Sequence, residues 1–260
     1  MALTAYRAAV PLLRIPFSLF LMPIFWFGLS ALREPFSWGR AVTVFLILHL
    51  LVYPASNGYN SFYDRDEDSI GGLKTPPKVT PQLLHLVYLF DALALTGALL
   101  LGWLFALLVL IYLLISKAYS YEGIRLKKYP LLSTAVVVVF QGAFTFLLAQ
   151  VGVGATAGQL TEKTNLLLAL VSTLFLCGSY PLTQIYQHQE DTRRGDRTLS
   201  LRLSLIFLVA TGPVVALFAR WVWLAWRNPA LANFEWTMRM NKVSSLCLSA
   251  AFIAMLVLSR

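Results

Sequence analysis

An amide and two carboxylates recur at steps of four residues in this chain: Asn60, Asp64 and Asp68. On an α-helix each such step advances about 40° beyond a full turn, so the three fan over ~80° of one face, and Asn57 falls inside the same arc. Carboxylates this close repel one another unless a cation sits between them. Oxygen-only donors at a water-exposed helix end suit a hard divalent ion such as Mg2+. The pattern occurs twice. Shifting by 127 residues lays Gln184 on Asn57, Gln187 on Asn60, Asp191 on Asp64 and Gly195 on Asp68. Two such helix ends facing each other would hold metal between them and, through it, a diphosphate.

The elements that must position these groups are apolar. With 58% hydrophobic and 13% charged residues and a mean hydropathy of +0.69, the chain is too apolar for a soluble domain. Runs of about 20 apolar residues are long enough to cross a bilayer as helices. They fall near 13–32, 41–63, 81–101, 103–121, 131–152, 165–189, 200–224 and 242–259. The expectation is an all-α polytopic membrane protein of about eight spans, with a ninth not visible, in a pseudo-repeated bundle around a central cavity. Residues 1–260 form one domain: two sets of four helices, each set carrying its polar motif after its second helix. The stretch 225–241 is too polar to span and is expected along the interface.

The net charge of +9 has no soluble basic face to occupy, so it indicates topology and not nucleic acid. The loops that carry the two polar motifs, the loop after the fourth span and both termini together hold 14 of the 21 Lys and Arg; the remaining 7 lie on the other side. The richer side is cytosolic, which places both motifs there. The first motif leads into a Gly/Pro-rich loop, Gly71 to Lys78. The fourth span ends in Tyr119, Ser120, Arg125, Lys127 and Lys128, and the second motif runs on into Arg193, Arg194 and Arg197. Acids beside bases are what a metal–diphosphate requires: carboxylates hold Mg2+ while Lys and Arg neutralise phosphate oxygens. Lys78, Lys128 and Arg202 are read as topology determinants. Asp91, in mid-span, is either functional or paired with a neighbouring helix. His49 and His85 are read as structural, His188 points about 100° away from Gln187, and Cys177 and Cys247 as small core residues.

Taken in order, Asn60-x3-Asp64-x3-Asp68, then Tyr119-Ser120 followed by Arg125-Leu126-Lys127, then Asp191-x3-Gly195-x-Arg197-Thr198-Leu199 resemble the UbiA superfamily of intramembrane prenyltransferases, from about Leu13 to about Ala210. The resemblance implies a helical bundle in which Mg2+ and an isoprenyl diphosphate are bound, with the prenyl tail in a lipid-open cavity. The diphosphate ionises and an acceptor captures the allylic cation. Carried over, Asn60, Asp64, Gln187 and Asp191 are metal ligands, and Asp68 binds metal or organises the diphosphate. Lys74, Arg125, Lys127 and Arg197 hold diphosphate, and Tyr119 hydrogen-bonds near the ionising bond. The expected setting is a multi-pass protein of the bacterial inner (cytoplasmic) membrane with its site facing the cytosol.

The chain departs from the family at Gln187, where an acid is usual: an amide offers Mg2+ a carbonyl but no charge, so the second metal site should be weaker. Pro76-Pro77 stands for the usual Arg-Pro, and Glu122-Gly123 for Pro-Pro. A membrane terpene cyclase is therefore an alternative within the same chemistry. A transporter or noncatalytic lipid-binding subunit is a further one, but a transporter places polar residues near mid-membrane in broken helices, whereas here they gather at one face. The sequence indicates neither the acceptor nor the oligomeric state.

Overall fold

The computed structural model describes residues 2–67, 70, 71, 73, 75–183, 212, 216, 217, 219–231, 236, 239 and 243. The chain divides into two units, Met1–Thr198 and Leu199–Arg260. Among the described residues the first unit is helical, with no strand beyond an isolated bridge of Ile70 and Leu73. Five helical segments are long and apolar enough to cross a membrane: α1 (Ala5–Ser30), α2 (Trp38–Asp64), α3 (Gln82–Leu101), α4 (Trp103–Ser120) and α5 (Pro130–Val153). A sixth, α6 (Lys163–Thr183), is apolar over Lys163–Cys177. The five match the first five expected spans to within a few residues, except that α1 begins earlier and is broken at Arg14, whose φ of 49° is left-handed; α6 begins two residues before the sixth, whose expected end lies outside the described residues. The expected seventh and eighth spans lie largely outside the described residues.

Apolar runs set where the helices are, and single residues set where they turn. Gly102 is the whole connection between α3 and α4. Its φ of +149° suits glycine, which lacks the Cβ that disfavours positive φ. Within lipid, hydrophobicity does not drive helices together, so close approach through small residues and interhelical hydrogen bonds matter more. Gly28 of α1 shows both. A Cβ added there would lie 2.8 Å from the Phe146 carbonyl oxygen of α5. Its own carbonyl accepts a 2.9 Å bond from Gln150 Nε2. Gln150 in turn exchanges two 2.8 Å amide bonds with Asn165 of α6, tying three helices by one buried polar network. Around it α2 packs on α3, α4 and α5. Phe25, Val44, Leu48, Val52, Phe105, Val109 and Leu148 form the main core.

Two helices are locally widened to a π pattern, Ile47–Val52 in α2 and Phe140–Phe144 in α5. Pro54 follows the first, and Gly142 sits in the second with non-helical angles against Thr173, whose hydroxyl accepts from Ala143 N at 3.1 Å. Such insertions bend a helix and aim its next turn. His49, in the first of them, stacks on Phe45 at 4.1 Å, which makes it a core residue as expected. His85 accepts or donates a 3.0 Å bond with the Tyr6 hydroxyl. Cys177, expected in the core, is half-buried on α6, where the neighbouring Leu174 and Phe175 are exposed to the surroundings of the helix.

The start of α2 is fastened at the end away from Asp64. Arg40 donates to the Leu101 carbonyl at 2.6 Å and to the Gly152 carbonyl at 3.2 Å, so one cation satisfies the C-terminal ends of α3 and α5. Arg40→Leu is expected to lower the thermal midpoint of the detergent-purified protein. Bonds to a charged group are worth about 1.5–3 kcal/mol, and turnover should be little changed, because the site lies roughly 35 Å away along the helix. Circular dichroism melts beside a turnover assay check both halves of that expectation.

In the second unit the described residues include a helical stretch at 219–227 and a turn at Pro229–Leu231. Trp221 Nε1 donates to the Leu231 carbonyl at 2.9 Å. Arg227 lies 4.1 Å over the Trp223 ring, and Trp226 is exposed.

Candidate functional site

The site is built on the last turns of α2. The helix stops at Asp64 because Arg65 turns left-handed, with φ of 50°, and returns its N–H to the Ser61 carbonyl at 3.0 Å. Asp66 and Glu67 follow at once; negative charge beside the negative end of a helix dipole disfavours continuing the helix. The helical arc that the sequence spacing extends to Asp68 therefore ends at Asp64. Asp68 itself lies outside the described residues.

Asn60 and Asp64 do come together on one face, in contact. Asn60 Nδ2 donates to Asp64 Oδ2 at 2.7 Å and to Ser120 Oγ, at the end of α4, at 2.9 Å. The other carboxylate oxygen, Oδ1, forms an ion pair with the Lys127 ammonium. Lys127 is carried on the turn Leu126–Lys128 between α4 and α5. That turn is set by Arg125, whose φ is 43° and whose N–H donates to the Tyr121 carbonyl at 2.6 Å. From the break in α1, Arg14 Nη2 points at the Asn57 carbonyl at 3.3 Å and at the Asn57 and Asn60 side-chain oxygens at 3.4 Å. Asp64 is 9% exposed, and Lys127 and Arg14 are each 7% exposed. These charges are thus shielded from water, where electrostatic attraction is far stronger than at a surface.

Three of the residues named from sequence, Asn60, Asp64 and Lys127, are in direct contact. Tyr119 adjoins Ser120 in the last turn of α4, and Arg125 precedes Lys127 by two residues. Lys74, Gln187, Asp191 and Arg197 lie outside the described residues, as does His188. Among the described residues no three His, Cys, Asp or Glu side chains gather as metal ligands; Asp64 is the one expected carboxylate ligand among them. The buried carboxylate suits a hard divalent ion; Asn60 turns its Nδ2 to Asp64 and its Oδ1 to Arg14, so its carbonyl would join the carboxylate on an ion only with the amide turned over. Sequence spacing missed Arg14 and gave Ser120 no role. The signal for Arg14 was a charge among apolar residues, Val10 to Leu13 before it and Ile15 to Phe17 after it.

Asp91 has the partner that one of its two readings called for: Lys117 of α4 lies 2.6 Å from its Oδ2, and the same ammonium sits 5.2 Å over the Tyr59 ring of α2. The pair joins α3 to α4. Asp91→Asn is expected to lower the thermal midpoint, because breaking a buried pair leaves one charge uncompensated. Metal binding, followed by Mn2+ titration, is expected to stay as it is.

The sequence matches the family model of the UbiA prenyltransferase family over residues 20–259. No curated protein matches it. Among solved structures, a UbiA homolog from Archaeoglobus fulgidus bound to GPP and Mg2+ aligns at a TM-score of 0.60 and 18% identity, covering 95% of this chain and 86% of that one. The same homolog bound to Cd2+ aligns at 0.57 and 19%, covering 95% and 87%, and bound to DMAPP and Mg2+ at 0.57 and 18%, covering 94% and 86%. At these identities the likeness is one of fold.

Proposed function

This chain belongs to the UbiA prenyltransferase family, an integral membrane protein family, and from that premise we propose that it transfers an isoprenyl group from a prenyl diphosphate to an acceptor, dependent on Mg2+, at the cytosolic face of a bacterial inner membrane. The observation that supports this most is the buried Asn60–Asp64 pair at a helix end with Lys127 and Arg14 against it. That arrangement combines oxygen ligands for a metal with cations for a phosphate in one water-shielded place. The excess of Lys and Arg on the same side supports the cytosolic orientation.

In this proposal Asn60 and Asp64, with Asp68, Gln187 and Asp191, hold Mg2+. The ion supplies charge stabilisation to the departing diphosphate. Lys74, Arg125, Lys127 and Arg197 neutralise the remaining phosphate oxygens, and Tyr119 donates toward the oxygen of the breaking bond. The allylic C–O bond breaks with its electron pair leaving on the diphosphate. The acceptor then forms the new bond to carbon and gives up a proton. Cations already in place when the bond breaks favour the charge that accumulates on the leaving group and need no reorganisation as it forms.

Incubating the purified protein with Mg2+ and a panel of prenyl diphosphates, first alone and then with aromatic or polar-lipid acceptors, tests the proposal. Consumption of diphosphate only with an acceptor, giving a prenylated product, is the expected result. Cyclised hydrocarbon formed without acceptor would assign the chain to cyclase chemistry, and no consumption of any diphosphate under either condition would remove the transferase assignment.

A further inference from the structure

We propose that Lys127 is an exchangeable internal counter-ion of Asp64: it neutralises the carboxylate until a metal ion takes its place, and its release to the diphosphate couples metal binding to substrate binding. This rests on the function proposed above and adds to it a mechanism by which the two ligands act together. Both Asp64 oxygens are already engaged, Oδ1 by the Lys127 ammonium and Oδ2 by Asn60 Nδ2 at 2.7 Å. Both charged side chains are buried. An isolated carboxylate in such surroundings is costly, so a cation must stand beside it whether or not a metal is bound.

A divalent ion at Asp64 and the Lys127 ammonium draw on the same negative charge and repel each other. Metal therefore has to displace the ammonium. Lysine suits this exchange, because its charge is a compact point on a flexible four-carbon stem, unlike a planar guanidinium fixed by paired bonds. The backbone beneath it is set: Lys127 lies in a short turn whose entry residue, Arg125, is held left-handed by its bond to Tyr121. The ammonium accordingly moves by its own stem, and remains near the place where a metal-bound diphosphate would need a cation. Coupling between two ligands is reciprocal: whatever metal does for diphosphate affinity through Lys127, diphosphate does for metal affinity.

The test uses Mn2+ as the metal and inorganic pyrophosphate as the anion, with free Mn2+ counted by electron paramagnetic resonance on the detergent-purified full chain. Lys127→Met removes the competing charge. It is expected to tighten Mn2+ binding in the absence of pyrophosphate by about fivefold or more, and to shrink the further tightening that pyrophosphate brings by a similar factor, the low end of ordinary coupling. The rise in thermal midpoint on adding Mn2+ should also be larger in the variant than in the parent protein. Unchanged or weaker Mn2+ binding in Lys127→Met, while Asp64→Asn still abolishes it, overturns the exchange and leaves the metal site standing. Mn2+ binding that survives Asp64→Asn unchanged removes Asp64 from the metal site, and the exchange with it. If Lys127→Met does not fold, Lys127→Gln keeps a donor to Asp64 without the charge, and the same outcomes decide.

Discussion

Replacing Asp64 by asparagine is expected to lower turnover at least ~100-fold, since it removes the charged oxygen from a site whose catalysis is electrostatic. The structure adds a second effect to that substitution. Asp64 is the counter-ion of a buried lysine, so Asp64→Asn also removes the carboxylate from that ion pair. Breaking a buried pair costs about 3–5 kcal/mol, and loss of activity could then be mistaken for loss of folding. The double variant Asp64→Asn with Lys127→Met separates the two. It removes both charges, and buried ion pairs replaced by uncharged groups of similar size are often neutral for stability. The single variant is expected to melt earlier than the parent, the double variant to melt close to it, and both to be at least ~100-fold slower. Turnover within tenfold of the parent in the well-folded double variant would show that Asp64 is not a metal ligand in the reaction. Asp191→Asn is expected to match the turnover loss, as the carboxylate at the equivalent place in the second motif.

Those pairings mark the limit of what the sequence conveys. Helix positions were legible because crossing a bilayer demands about 20 apolar residues, and α2 to α5 begin and end within three residues of the apolar runs. The contact of Asn60 with Asp64 was legible for a similar reason, since residues four apart on a helix are neighbours. Contacts set by tertiary structure were not. Lys127 stands 63 residues from Asp64; its place in the sequence pattern reads as a phosphate ligand, and only folding shows that it reaches the carboxylate. The end of the helix at Asp64 was not legible either, because Arg65 is not a residue type that announces a left-handed turn. Among the described residues the three non-glycine residues with positive φ are all arginines, Arg14, Arg65 and Arg125, and each lies within two residues of a group in the site or is one. Positions of this kind cost of order 1–3 kcal/mol and persist where surrounding structure over-determines them.

Arg14 gives the sharpest use of that observation. Its guanidinium reaches the oxygens of Asn57 and Asn60 at 3.3–3.4 Å, longer than a usual N–H···O bond, so the low end of the range for a charged donor applies, about 1.5 kcal/mol. That corresponds to roughly tenfold in an equilibrium or a rate. Arg14→Met keeps the buried stem and removes the charge. Its expected result is a roughly tenfold loss of turnover, because the Asn60 amide loses the partner that holds its orientation and the site has lost a cation. Arg14→Gly acts differently on the backbone: glycine adopts φ of 49° without the Cβ penalty, while the space of the arginine side chain is left unfilled. If the effect belongs to the guanidinium, the two variants lose turnover alike, although their thermal midpoints differ. If instead the left-handed break in α1 is what sets the site, with the guanidinium serving only to hold a residue with a Cβ in it, Arg14→Gly retains near-normal turnover and Arg14→Met does not. Steady-state kinetics and melting curves on these two variants therefore assign the contribution to the side chain or to the backbone that presents it.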